Sequence, residues 1–208
     1  MLPAPNIKYK CPSCGNLIYR GGLISGNTFG AKIYSDGKTI APMLPEFPKI
    51  TKCKSCNHIF WIDKAEEMGT YRETFESILN PMDRAEFLEI DDYFKALENN
   101  MAETDSEESY IRQHIWWSYN DRVREGRELF AGDRDETLWA ENLKRLLHLL
   151  EVSDSKYKTL IAEIYRNLGD FEKSIAILEA IEASHLDWIR ERLIEECRQQ
   201  NKLVVQLQ

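Results

Sequence analysis

The sequence has no apolar run approaching the roughly 20 residues of a membrane-spanning helix. Its start, MLPAPNIKYK, lacks the apolar stretch of a secretory signal, and the expected location is cytoplasmic. Seven prolines and ten glycines in 208 residues are too few for collagen-like or low-complexity classes. Histidine is scarce. His58, His114, His148 and His185 are scattered, and none falls in an H-E-x-x-H arrangement. No G-x-S-x-G elbow or papain-like cysteine surrounding is present. The glycines Gly21, Gly22, Gly26 and Gly30 lack the Gly-Lys-Ser/Thr ending of a phosphate loop and read as turns and bulges. No catalytic residue is assigned, and an enzyme is the least supported class.

What the sequence does have is enough apolar residue to build a core, 43%, with 30% charged. The charge is divided. Residues 1–65 carry nine Lys/Arg against three acids, a formal +6, while the rest carries 18 against 32, a formal −14. Opposite charge in the two parts predicts two domains with different surroundings.

Four of the five cysteines form two C-x-x-C pairs, Cys11/Cys14 and Cys53/Cys56, separated by 38 residues. A tight turn places two thiolates on one side of the backbone, and two such turns face to face supply four sulfurs in a tetrahedron, which suits zinc. Gly15 and Asn57 follow the second cysteine of each pair, where a left-handed backbone is expected and these residue types tolerate it. Lys10, Lys52 and Lys54 are placed to offset the negative charge of four thiolates. Iron would accept the same ligands and is the weaker alternative. A redox dithiol pair fits less well with two matched turns. With cysteine at every position, no coordination site is left open for catalysis. His58 is expected at the surface, and Cys197 as a buried small hydrophobe.

The doubled motif resembles the zinc ribbon family over about residues 8–62. That resemblance implies two knuckles carried on β-hairpins. Within the long insertion, Ser35-Asp36-Gly37-Lys38 predicts a further hairpin turn, and Pro42, Pro45 and Pro48 an extended return to the second knuckle.

Beyond residue 65 the periodicity becomes helical. Residues 66–106 read as a linking or covering segment with one short helix at about 91–97. Residues 107–208 read as a helical domain. Its first helix is expected over about 107–129, with Thr104 and Glu107 at capping-box spacing and Ile111, Ile115, Tyr119 and Val123 on one face. Trp116 and Trp117 cannot both point the same way. A second helix is expected over about 135–151, with Trp139, Leu143, Leu146, Leu147 and Leu150 inward.

Residues 155–183 resemble one tetratricopeptide repeat. Ile161-Ala162 and Tyr165 lie on the first helix, Leu168-Gly169-Asp170 make the turn, and Phe171, Ile175, Leu178 and Ile181 face inward on the second. Ser174 departs from the pattern, which prefers alanine there. No second copy occurs at a spacing near 34 residues, so neighbouring helices must cover the unit. A last helix over about 185–200 would cap the stack.

The fold class is therefore α+β: a β-rich zinc ribbon followed by an all-α helical-hairpin domain. The resemblance implies a non-enzymatic adaptor whose partner is a protein. The alternative is nucleic-acid binding through the basic ribbon, but four thiolates and a zinc ion reduce its excess charge to about +4. The attached −14 also repels a polyanion over about 8 Å. Nucleic-acid binding by the whole chain is expected to be weak, with the ribbon docked on the acidic helices instead.

Overall fold

A computed structural model of the chain describes residues 1–72, 81–153 and 157–208, the side chains of 151–153 excepted. Part of the 66–90 linking segment, residues 73–80, thus lies outside the described residues, as do 155 and 156 at the start of the repeat-like stretch. The fold is α+β, with strands in the N-terminal part and helices in the C-terminal part. The chain forms two compact units, residues 1–31 with 40–101, and residues 32–39 with 102–208.

In the first unit, β1 (Leu2–Lys10) and β2 (Leu17–Ser25) form a long antiparallel ribbon whose register is shifted twice. β7 (Glu66–Tyr71) pairs antiparallel with β1, and β8 (Asp83–Arg84) pairs parallel with β2. The sheet order is β7-β1-β2-β8. The segment read as a linker thus supplies both flanking strands of this sheet. The period-2 signal is weak in β7 because five of its six residues are exposed. A second hairpin joins β5 (Ile50–Lys52) to β6 (Ile59–Trp61). Tyr9, Ile18, Phe60, Ile62 and Ala85 pack into one core with Cys11 and Cys53. Helix α1 (Ile90–Glu98) buries Tyr93 and Ala96.

The second unit contains α2 (Asp105–Arg124), α3 (Asp133–Ser153), α4 (Lys158–Leu168), α5 (Phe171–Glu179) and α6 (Asp187–Arg198). Thr104 caps α2 by accepting the Glu107 N–H at 3.2 Å. The Glu107 carboxylate reaches back to the Glu103 N–H at 2.8 Å, one residue beyond the usual box partner. The helix ends at Arg124, five residues earlier than the periodicity predicts. Gly126, at φ 75°, turns the chain, and Arg127 N–H returns to Arg122 C=O. Ile111, Ile115 and Tyr119 are buried as the pattern requires, and so is the α3 stripe from Trp139 to Leu150.

The turn between α4 and α5 shows how sequence dictates local structure. Gly169 sits at φ 88°, a left-handed conformation that costs a residue with a Cβ. The N–H groups of Gly169 and Asp170 bond to the carbonyls of Arg166 and Tyr165, and Asp170 accepts the Lys173 N–H at 3.2 Å. Tyr165 is buried, whereas Phe171 is only half-buried. Ser174, the departure from alanine, is fully buried and donates to the Ala162 carbonyl at 2.8 Å, so its hydroxyl is satisfied inside the packed interface. Cys197 is buried on α6, within 3.3 Å of that same hydroxyl.

Two buried polar networks tie this unit together. The turn at 34–38, between the short paired strands β3 (Lys32–Ile33) and β4 (Thr39–Ile40), inserts Asp36, which is fully buried and accepts from Asn120 at 2.7 Å and from Arg124 of α2. Trp117 donates to the Asp36 backbone carbonyl at 3.0 Å, while Trp116 is buried and donates to Asn167 at 2.8 Å. The adjacent tryptophans thus serve two different neighbours. Arg166, also fully buried, pairs with Glu163 and donates to the carbonyls of Asn201 and Leu203. The C-terminal residues are then held against the hairpin by Ser35 N–H to Val205 C=O and by the Tyr34–Gln206 bridge.

Two outcomes are expected. Replacing Gly169 with valine should destabilise the protein by about 1 kcal/mol or more, measured by urea unfolding followed through helical circular dichroism. Glu108 should make stability pH-dependent. Arg145, at 2.8 Å and 2.9 Å, and Arg112, at 2.7 Å, outweigh its partial burial and hold its carboxyl down to about 2, against an ordinary 4.5. The depressed value means the stabilisation is complete above pH 4.5 and lost as pH falls toward 2. The stability gap between the protein and Glu108→Gln should therefore be present at neutral pH and close over that interval. A gap that persists at pH 2 would contradict it.

Candidate metal centre

Each C-x-x-C pair sits at the tip of a hairpin, and the two tips are built alike. Lys10 pairs with Leu17 across the first and Lys52 with Ile59 across the second, so each knuckle spans six residues. In the first, Cys11 N–H bonds to Asn16 C=O at 2.8 Å and Gly15 N–H to Cys11 C=O at 3.0 Å. In the second, Cys53 N–H bonds to His58 C=O at 2.9 Å and Asn57 N–H to Cys53 C=O at 2.8 Å. Gly15 and Asn57 have φ of 77° and 60°, the left-handed turn their residue types favour.

The four sulfurs lie within 4.8 Å of one another. Cys11 and Cys56 stand 3.7 Å apart, as do Cys14 and Cys53. A disulfide requires about 2.05 Å, so no pair is bonded. A tetrahedral ion with sulfurs at about 2.3 Å places them about 3.8 Å apart. The spacing therefore fits one four-coordinate metal ion, zinc among those that suit four thiolates. Cys11 and Cys53 are buried in the hairpin core, and Cys14 and Cys56 are exposed.

The electrostatics point the same way. The backbone N–H of His58 favours the Cys56 thiolate and brings its thiol down to about 7. The Asn16 N–H does the same for Cys14, but the neighbouring sulfurs and burial outweigh it and push that thiol up to about 12. Burial raises Cys11. Four sulfurs this close cannot all be anions without a cation among them. The lysines expected to offset this charge are engaged by acids instead. Lys10 pairs with Glu66 at 3.3 Å, Lys54 with Glu86 at 2.9 Å, and Lys52 with Asp92.

Among the described residues, these cysteines are the one group of three or more His, Cys, Asp or Glu able to hold a metal. His58 is exposed, its ring parallel to Phe60 at 6.3 Å. His114 is buried, with Nδ1 3.0 Å from the Tyr110 carbonyl. Among the described residues no helix is long and apolar enough to cross a membrane.

A cleft of about 880 Å³ opens beside the second knuckle. Its lining includes Ile59, Phe60 and Trp61 together with Lys52, Lys64 and Lys95. Sequence reasoning missed it, because its walls come from the knuckle, the turn after β6 and helix α1. The nearest signal is Asp92, an acid in the first turn of α1.

Compared with protein-family models, curated proteins and solved structures, the chain matches none.

Metal content is directly measurable. Elemental analysis of the purified chain should find one metal ion per molecule. Cys53→Ser should lower that stoichiometry and loosen the β1–β2 and β5–β6 hairpins, with little loss of helical circular dichroism. Metal-free protein that keeps its native hairpins would contradict the assignment.

Proposed function

We propose that the chain is a cytoplasmic, non-enzymatic adaptor: a structural zinc ribbon joined to a tetratricopeptide-like helical unit, with another protein as partner. Zinc suits a closed four-cysteine site, since it needs no redox partner and accepts tetrahedral thiolates. With all four ligands from the protein, its role is to hold two hairpins together.

The observation that carries the partner reading lies at the end of the β1–β2 ribbon away from the knuckle. Phe29 is 86% exposed and Ile24 64%. Leu2 and Met1 are also exposed, and Leu2 stands opposite Ser25 in the ribbon. Leu44 is exposed too and lies against Gly26. In a chain that is 30% charged, residues 21–31 carry no charge at all. A neutral apolar surface favours burial against the apolar surface of another protein, and it offers nothing to a polyanion.

The test is affinity capture with the full chain and with an Ile24→Ser/Phe29→Ser variant, each with and without nuclease. The expected result is a defined protein retained by the first, unaffected by nuclease and lost with the variant. Identical capture by both, or loss on nuclease treatment, overturns the reading. So does a concentration-dependent dimer in sedimentation that the variant abolishes, since the surface would then bind a second copy.

A further inference from the structure

The cleft beside the second knuckle has a mixed lining that the adaptor reading does not use. Its apolar part is Ile59, Phe60 and Trp61 with Ala65 and Met101. Those three strand residues are themselves buried, so the floor is rigid and packed rather than a loose surface. Trp61 is anchored by its indole N–H, which donates to the Met101 carbonyl at 2.8 Å. The exposed His58 ring lies at the edge, parallel to Phe60.

The same lining is cationic, and the Lys64 ammonium stands over the Trp61 ring at 5.9 Å from its centre. Three lysines, Lys52, Lys64 and Lys95, line the cleft against a single acid, Asp92. Asp92 is 5% exposed and takes both Lys52 and Lys95, the latter at 3.2 Å. Burial alone would favour its neutral form, but the two ammonium groups hold its carboxyl below the usual range. Asp92 thus fixes two lysines at the rim while cancelling one charge, and the lining keeps a formal +2. Asn57 and Asn99 add amides that can both donate and accept.

We propose that this cleft binds a flat heteroaromatic ring carrying a phosphate: a nucleotide, free or as one unit of a single strand. The phosphate would meet the lysines, whose compact ammonium groups act as point charges toward it. The ring would lie on the apolar floor beside His58, and the asparagines would meet its polar edge. A carboxylate-rich peptide is less well matched. It brings charge, but no flat apolar body to cover the floor.

The experiment titrates the full metal-loaded chain with AMP, adenosine, inorganic phosphate, an eight-residue oligoadenylate and a Glu/Leu peptide of equal charge. Binding is read by calorimetry and by amide shifts in NMR. AMP should saturate, at least tenfold tighter than adenosine or phosphate alone, with shifts centred on Asn57, Trp61 and Asn99. Lys64→Gln should weaken it several-fold, and Lys8→Gln, on β1 outside the cleft, should not. Lys52→Gln and Lys95→Gln are avoided because each strips a partner from buried Asp92. An oligoadenylate that binds tenfold tighter than AMP, with the same shifts, identifies a strand as the source of the ring and phosphate. Similar affinities identify the free nucleotide. No saturable shift with either, equal loss in Lys8→Gln, or tighter binding of the peptide overturns the proposal.

Discussion

Four sulfurs within 4.8 Å of each other are the constraint on which the N-terminal unit depends. Thiolates at that distance repel strongly, so the arrangement persists only around a cation or with protons retained on some of the sulfurs. The consequence is geometric. The β1–β2 and β5–β6 hairpins, 38 residues apart between their knuckles, must meet tip to tip. Once they do, Tyr9, Ile18, Phe60 and Ile62 come together as a core that neither hairpin could enclose alone. That core is small, as expected where a metal does part of the work of folding.

Among the described residues the helical unit has no such centre, and buried polar groups that pair with one another help to hold it. Asp36 with Asn120 and Arg124, and Glu163 with Arg166, are taken out of water where a missing partner would be costly. Their value lies in specificity. Arg166 recognises the carbonyls of Asn201 and Leu203, positions a hydrophobic contact would not distinguish from their neighbours. The C-terminal residues are thereby fixed in register against the turn at 34–38.

The metal centre and the apolar surface are different kinds of feature. The cysteines face one another and are closed to outside ligands. The residues around Phe29 face water and are energetically unsettled there. Between them in character is the lysine-rimmed cleft, which is built partly from the second knuckle. Its shape depends on Asn57 to Trp61 being held by that hairpin. A metal held by the four cysteines would thus be coupled to the cleft through the same six-residue turn.

Features whose physics is local can be read directly along the chain. Two C-x-x-C pairs followed by Gly15 and Asn57 announce two left-handed knuckles, because thiolate spacing and positive φ are written within six residues. Leu168-Gly169-Asp170 likewise announces a helix stop and a helix start. The α3 stripe was legible because 3.6-residue periodicity needs only one helix to express it. Other features arise from pairing between distant segments. β7 and β8 carry little pattern of their own and become strands by pairing with β1 and β2. Asp36 reads as a turn residue until Arg124, 88 positions away, gives it a partner. The cleft is complete only when Asp92, Lys95 and Asn99, on and just after α1, join the lining residues that come from 52–65. Contacts of this kind depend on residues far apart in sequence, and the energy that selects them arises only when water is excluded between the elements.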